Sequence, residues 1–212
     1  MRRRPSVDLG DRDLRRTFAL GRCRSAGLTT VGDMTMPLAD WAEQVACTHL
    51  AAVMPKRWRH VQGVVRRAQS LAGVVDDPDL LIASAWLHDI GYTPDLRRTG
   101  FHPVDGAQYL RQRGADERLC ALVAHHSCAR VEARRRGIVI DWPDERTALR
   151  DALWCADMTT TPNGEATDLR SRIAEVRERY GPDDVVAQSI GEAEPELRAA
   201  VQRTERLLSN VG

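Results

Sequence analysis

The stretch "DDPDLLIASAWLHDIGY" (residues 76–92) decides how this chain is read. Asp77 is suited to cap a helix, Pro78 to occupy its first position and Gly91 to close it. Between them Leu80, Leu81, Ile82, Ala83, Ala85, Trp86, Leu87 and Ile90 cover nearly the whole circumference of a helix over 78–90. A helix that is apolar on almost every side is buried among other elements. Its last turn nevertheless carries His88 and Asp89 into that interior. An isolated ionised carboxylate there costs on the order of several kcal/mol unless it is paired. The two side chains splay by about 100° around the axis, wide enough to grip one cation between them. The unpaired carbonyls of a last turn also favour positive charge. A bound metal explains this pair better than a lone buried contact does.

The same helical period recurs on both sides, and no segment alternates as a strand does. Helices are expected over 37–54 and 56–75, the second with Val61, Val64, Val65, Ala68, Leu71, Ala72 and Val75 on one stripe. Further helices are expected over 102–114, 116–127 and 146–158. After the "TTTPNGE" loop (159–165) a C-terminal pair is expected over 167–181 and 194–208. The expectation is an all-α, compact multi-helix bundle of about eight helices.

A chain of 212 residues with 42% hydrophobic and 29% charged residues suits one domain with a sizeable core and a charged surface. Net charge is +1, so nothing global calls for nucleic acid or an anionic membrane. The charge is unevenly spread: residues 1–27 hold eight Arg against three Asp, about +5, which leaves about −4 for the rest. We therefore expect a disordered basic leader over 1–36, with Met34 or Met36 as a candidate start, a metal-binding helical domain over 37–162, and C-terminal helices over 163–212 packed on it. No run of 18 apolar residues exists, so no membrane span is expected. The five Cys form no C-x-x-C pair and read as reduced thiols of a cytoplasmic protein.

If a cation sits at His88 and Asp89, other ligands must come from elsewhere, and the chain has six His. His60 lies on the apolar side of its helix, one turn before Val64. His102 heads a helix. His125 and His126 end another, His126 on the stripe of Leu119, Leu122 and Val123. Asp157 continues the stripe of Leu149, Ala152, Leu153 and Ala156. Taken singly, each of these is more ordinarily a core imidazole or a helix-end carboxylate. Taken together, separate helices all turn a His or Asp inward, and His49 alone falls outside the set.

The order His60, His88-Asp89, His102-Pro103, His125-His126, Asp157 resembles the HD-domain metal-dependent phosphohydrolase superfamily over about residues 38–160. The added His102 and the His125-His126 pair are similar to its two-metal branch, which includes the HD-GYP phosphodiesterases and the mixed-valent diiron oxygenases. The resemblance implies an HD-domain bundle with two divalent ions. His60, His88, Asp89 and Asp157 would hold one, and Asp89 would bridge to a second held by His102 with His125, His126 or both. No Gly-Tyr-Pro follows the His pair, and Tyr92 stands where the family often writes the Lys of "HDIGK".

An imidazole and carboxylate shell suits Fe or Mn first, with Zn, Ni or Co next. Such ions lower the pKa of a bound water, and the hydroxide can attack phosphorus in line, with Asp89 as the central catalytic carboxylate. No G-x-S-x-G, P-loop or Cys-His pattern offers a covalent route. The expectation is hydrolysis of a phosphoester in a nucleotide or another small phosphorylated metabolite. Tyr92, Arg130 and Lys56 are the candidate substrate contacts. The alternatives are a diiron oxygenase and a non-catalytic nucleotide-sensing module. A homodimer through the C-terminal helices is left open, and neither nucleic acid nor membrane is expected as a partner.

Overall fold

The computed structural model describes residues 36–210; the leader expected over 1–36 lies outside the described residues, Met36 excepted. Among these residues the fold is all-α, with helices α1 (Leu38–Leu50), α2 (Pro55–Ser70), α3 (Pro78–Leu87), α4 (His102–Gln112), α5 (Glu117–Ala124), α6 (Ala129–Arg136), α7 (Ala148–Met158), α8 (Leu169–Tyr180) and α9 (Val185–Ser209). Three single 3-10 turns join them at Ala72–Val74, Ile90–Tyr92 and His126–Cys128. No described helix is long and apolar enough to cross a membrane.

The central helix starts as its sequence dictates. Pro78 takes the first position and Asp77 Oδ1 accepts from the Leu80 amide at 3.0 Å. α3 is wrapped by α1, α2, α5 and α7, and Leu81, Ala83, Ala85, Leu87 and Ile90 are wholly buried. The helix ends sooner than expected. His88 is its last αR residue, and Asp89 leaves at φ −106°, ψ 4°. The cause lies at Gly91, where a Cβ would stand 2.1 Å from the His102 carbonyl oxygen. The chain must break there to pass over the start of α4, and only glycine allows so close a crossing.

Two other departures have physical causes. The last helix begins at Val185, where Asp184 caps the Val186 amide, and runs through Pro195. Sequence alone reads "EP" as a start signal. Ala187, Ala193, Leu197, Ala200 and Val201 bury one continuous stripe against α6, α7 and α8, and this packing overrides the local signal. α6 is a separate helix after a sharp turn, over a stretch that lies outside the helices expected from the sequence. The C-terminal helices share the main hydrophobic core through Leu169, Ile173, Leu197 and Val201. Cys120, Cys128 and Cys155 are buried free thiols.

Candidate metal centre

Five elements bring six side chains to one point. α2 supplies His60, the end of α3 His88 and Asp89, the first position of α4 His102, the turn after α5 His126, and the last turn of α7 Asp157. They form two triads, His60–His88–Asp157 and Asp89–His102–His126. Asp157 Oδ1 lies 3.0 Å from His60 Nε2 and 3.9 Å from His88 Nε2. Asp89 stands between the triads. Its Oδ2 is 3.3 Å from His88 Nε2 and 3.7 Å from His60 Nε2. Its Oδ1 is 3.4 Å from His102 Nε2 and 3.8 Å from His126 Nε2. One carboxylate thus turns one oxygen to each triad.

The backbone fixes which imidazole nitrogen faces inward. Nδ1–H of His60 donates to the Thr161 carbonyl at 3.0 Å, that of His88 to Ala85 at 2.8 Å, and that of His126 to Val123 at 2.7 Å. A carbonyl only accepts, so each Nδ1 carries a proton and Nε2 is the nitrogen turned to the centre, free to offer its lone pair to a cation. His88 Nε2 is buried with no hydrogen-bond partner. Nε2 of His102 and of His126 face each other at 3.1 Å. Lone pairs aimed at lone pairs and at carboxylates are mutually repulsive, and a cation satisfies them all. The six residues therefore fit a divalent metal on their own geometry.

In the absence of a cation the acids draw in a proton. Burial opposes the charge on His88, but Asp89 and Asp157 outweigh it and raise the pKa to about 9. Burial lowers His126 to about 3, reinforced by repulsion from His102 and His88. Burial pushes Asp89 upward, yet Arg57 and His88 hold it well below the usual carboxylate range. Asp157 is likewise opposed by burial and held low, by the His60 hydrogen bond and the His88 charge.

The surroundings orient these groups. A Cβ on Gly63 would lie 2.5 Å from Gly164 Cα, and Gly164 sits at φ 85° against the Arg59 carbonyl. The loop after α7 therefore lies flush on α2, pinned by Arg66 Nη2 donating to the Gly164 carbonyl at 2.9 Å. That contact carries Thr161 to His60. Ser127 donates to Asp157 Oδ2 from a left-handed backbone, and Cys128 after it is left-handed too. Arg57 donates to Asp89 Oδ2 and lies 4.0 Å from the Tyr92 ring centroid. The Tyr92 ring stacks on His102 with centroids 3.7 Å apart.

Not every expected residue arrives. His125 turns away: its Nε2 bonds to the Trp142 carbonyl at 2.7 Å, and its own carbonyl accepts from Trp154. Of the His pair, only His126 joins a triad. Arg130 pairs with Glu196 of α9 and lines a separate cavity with Arg150 and Arg203, so it does not face the triads. Lys56 is exposed on the rim of a neighbouring cavity. His49 lies apart, between Asp95 and Tyr109 at 2.9 Å each. Sequence reasoning missed Ser127 and the contribution of α8, whose Arg172, Arg179 and Tyr180 line the same cavity as the ligands. A signal for Arg172 existed. It falls on the buried stripe of Leu169, Ile173 and Val176, where a cation is out of place unless it has a task.

Comparison with known proteins agrees with this geometry. A tRNA (cytidine(56)-2'-O)-methyltransferase of Picrophilus torridus is 33% identical over 86 residues, covering 39% of this chain and 25% of that protein. The chain thus spans about a quarter of the length of that curated relative. No solved structure matches. The HD domain family model matches residues 57–180, more than half of the chain and a span that contains all six convergent residues. With that match, the chain belongs to the HD domain family.

Proposed function

We propose that the protein is a metal-dependent phosphohydrolase with a binuclear centre of two divalent ions, Fe or Mn, acting on a nucleotide or another small phosphorylated metabolite in the cytoplasm. One observation carries the reading: Asp89 offers an oxygen to each of two separate buried triads. When bound, the ions would lower the pKa of a water and neutralise charge developing on a phosphoryl group. The chain's own residues supply the rest. Nδ1–carbonyl bonds hold His60, His88 and His126 in the ligating tautomer. Arg57 and Arg179 present guanidinium groups to an anion in the cavity. Cys120 and Cys128 do not compete as nucleophiles: burial raises both thiols to about 12, leaving them protonated and inert.

The test is elemental analysis of the purified protein, then a screen of phosphorylated metabolites with each metal and with chelator. The expected result is phosphate release that chelator stops and Mn or Fe restores, lost in Asp89→Ala while the helical signal persists. Oxygen consumption without phosphate release would establish the diiron oxygenase instead. Nucleotide binding with neither reaction would establish a sensing module.

A further inference from the structure

Two cavities meet at the metal centre. The inner one, about 100 Å³, lies between Asp89, His126 and Asp157 on one side and Arg172, Val176 and Arg179 of α8 on the other. The outer one, about 290 Å³, is walled by Val53, Met54, Pro55, Lys56 and Pro162. Arg57 and Arg179 are walls of both.

Size decides what each can hold. A cavity of about 150 Å³ just admits benzene, so the inner cavity has room for a phosphoryl group and none for a nucleoside. Pockets for larger organic ligands begin at roughly 300 Å³, and the outer cavity reaches the lower edge of that range.

Charge decides which end goes where. Arg172 is 6% exposed; its Nη1 is tied to Glu175 Oε2, while its buried Nε has no hydrogen-bond partner. Glu175 Oε1 lies 3.4 Å from Arg179 Nε, so one carboxylate aligns two guanidinium groups and leaves the trio with a net positive charge. A buried guanidinium with an unmet donor is costly, and a phosphate oxygen is its natural complement.

We propose that α8 is a phosphate clamp: Arg172 and Arg179, aligned by Glu175, hold the terminal phosphate of a monoester in the inner cavity, and the esterified group lies in the outer cavity beyond Arg57. This rests on the phosphohydrolase reading and narrows it to monoesters. In the step, a water oxygen bonds to phosphorus and the ester P–O bond breaks. Its electron pair and one water proton go to the leaving oxygen, giving an alcohol, and inorganic phosphate stays on the arginines. A diester needs a second organic group at phosphorus, and the wall of α8 leaves it no space.

The experiment compares p-nitrophenyl phosphate with bis-(p-nitrophenyl) phosphate on the Mn-loaded protein and titrates inorganic phosphate by calorimetry. The monoester should be favoured at least about tenfold in kcat/KM, with phosphate a competitive inhibitor. Arg179→Gln should raise KM and weaken phosphate binding by about tenfold or more, with bound Mn unchanged. Arg172→Gln should do the same, Arg172→Lys should recover part of the loss, and Glu175→Gln should have a smaller effect. Arg179 is a third exposed on its side chain, so its variant serves if Arg172→Gln does not fold. A faster diester reaction, or unchanged phosphate affinity in Arg179→Gln, overturns the clamp and leaves the phosphohydrolase reading standing. Failure to turn over either ester removes that reading, and the calorimetry still decides the clamp, which falls if the parent protein binds no phosphate.

Discussion

Arg57 Nη1 donates to Asp89 Oδ2 at 2.8 Å, the oxygen that faces His60 and His88. The guanidinium keeps this buried acid ionised and fixes the plane of its carboxylate, so both oxygens stay aimed at their triads. Groups that orient ligands in this way are worth about 10–100-fold in metal affinity. Arg57→Met should therefore weaken Mn binding by about that factor, as read by calorimetry on protein stripped of metal. Tighter binding would show that the guanidinium competes with the ion rather than serving it.

The two residues of the His pair should separate cleanly. His126→Ala removes a member of the second triad and should lower the metal content from two ions to one. His125→Ala breaks a buried bond to the Trp142 carbonyl; it should cost about 1–3 kcal/mol of stability and leave metal content unchanged. His49→Ala should behave like His125→Ala, since its partners are Asp95 and Tyr109. Metal loss in either of the last two variants, with folding intact by circular dichroism, would mean that the ligands are misassigned.

Neighbouring imidazoles in this pair have opposite fates for a reason that sequence does not encode. Both follow α5: His125 closes it at φ −110°, ψ 9° and turns toward Trp142, while His126 opens the next single turn and faces the centre. Spacing along the chain places His60, His126 and Asp157 on inward stripes, because helical periodicity projects directly onto burial. His88 and Asp89 are inward because their helix is apolar nearly all round, and His102 is marked only as the head of a helix. Spacing is silent on the loops. Arg130 follows the His pair closely, yet α6 turns it toward Glu196. Arg172 and Arg179 lie far down the chain and reach the cavity because α8 folds back over it. Proximity in sequence is a poor guide to a site that is assembled by helix packing.

Metal uptake should depend on pH through His88. Its pKa near 9 in the metal-free protein means that it carries a proton at neutral pH, which an incoming cation must displace. Affinity at the His60–His88–Asp157 triad should rise with pH up to about 9 and then level off. His126, held near 3, is already neutral and adds no such dependence. The sign for stability runs the other way. A pKa raised from 6.5 to about 9 stabilises the metal-free fold fully below 6.5, and the contribution is lost as pH rises through 9. Calorimetry at pH 7 in buffers of different ionisation enthalpy should show about one proton released on binding at this triad. Proton-neutral binding would contradict the assignment of His88.

The contact between Gly63 and Gly164 should matter for the same triad, although neither glycine touches a ligand site. A methyl group on Gly63 would stand 2.5 Å from Gly164 Cα and from its carbonyl oxygen, and all of these are backbone atoms that cannot rotate aside. Gly63→Ala should therefore lift the 159–166 loop from α2 and draw Thr161 away from His60 Nδ1. The overpacking should cost about 1–3 kcal/mol. The freed imidazole should lose its fixed tautomer, which lowers metal affinity at the first triad and spares the second. Gly73→Ala is the control, because a Cβ there meets nothing within 4 Å, and it should change neither quantity. Thermal unfolding and metal titration of the two variants give the comparison, and equal metal affinity in Gly63→Ala and the parent would show that His60 is oriented without the loop.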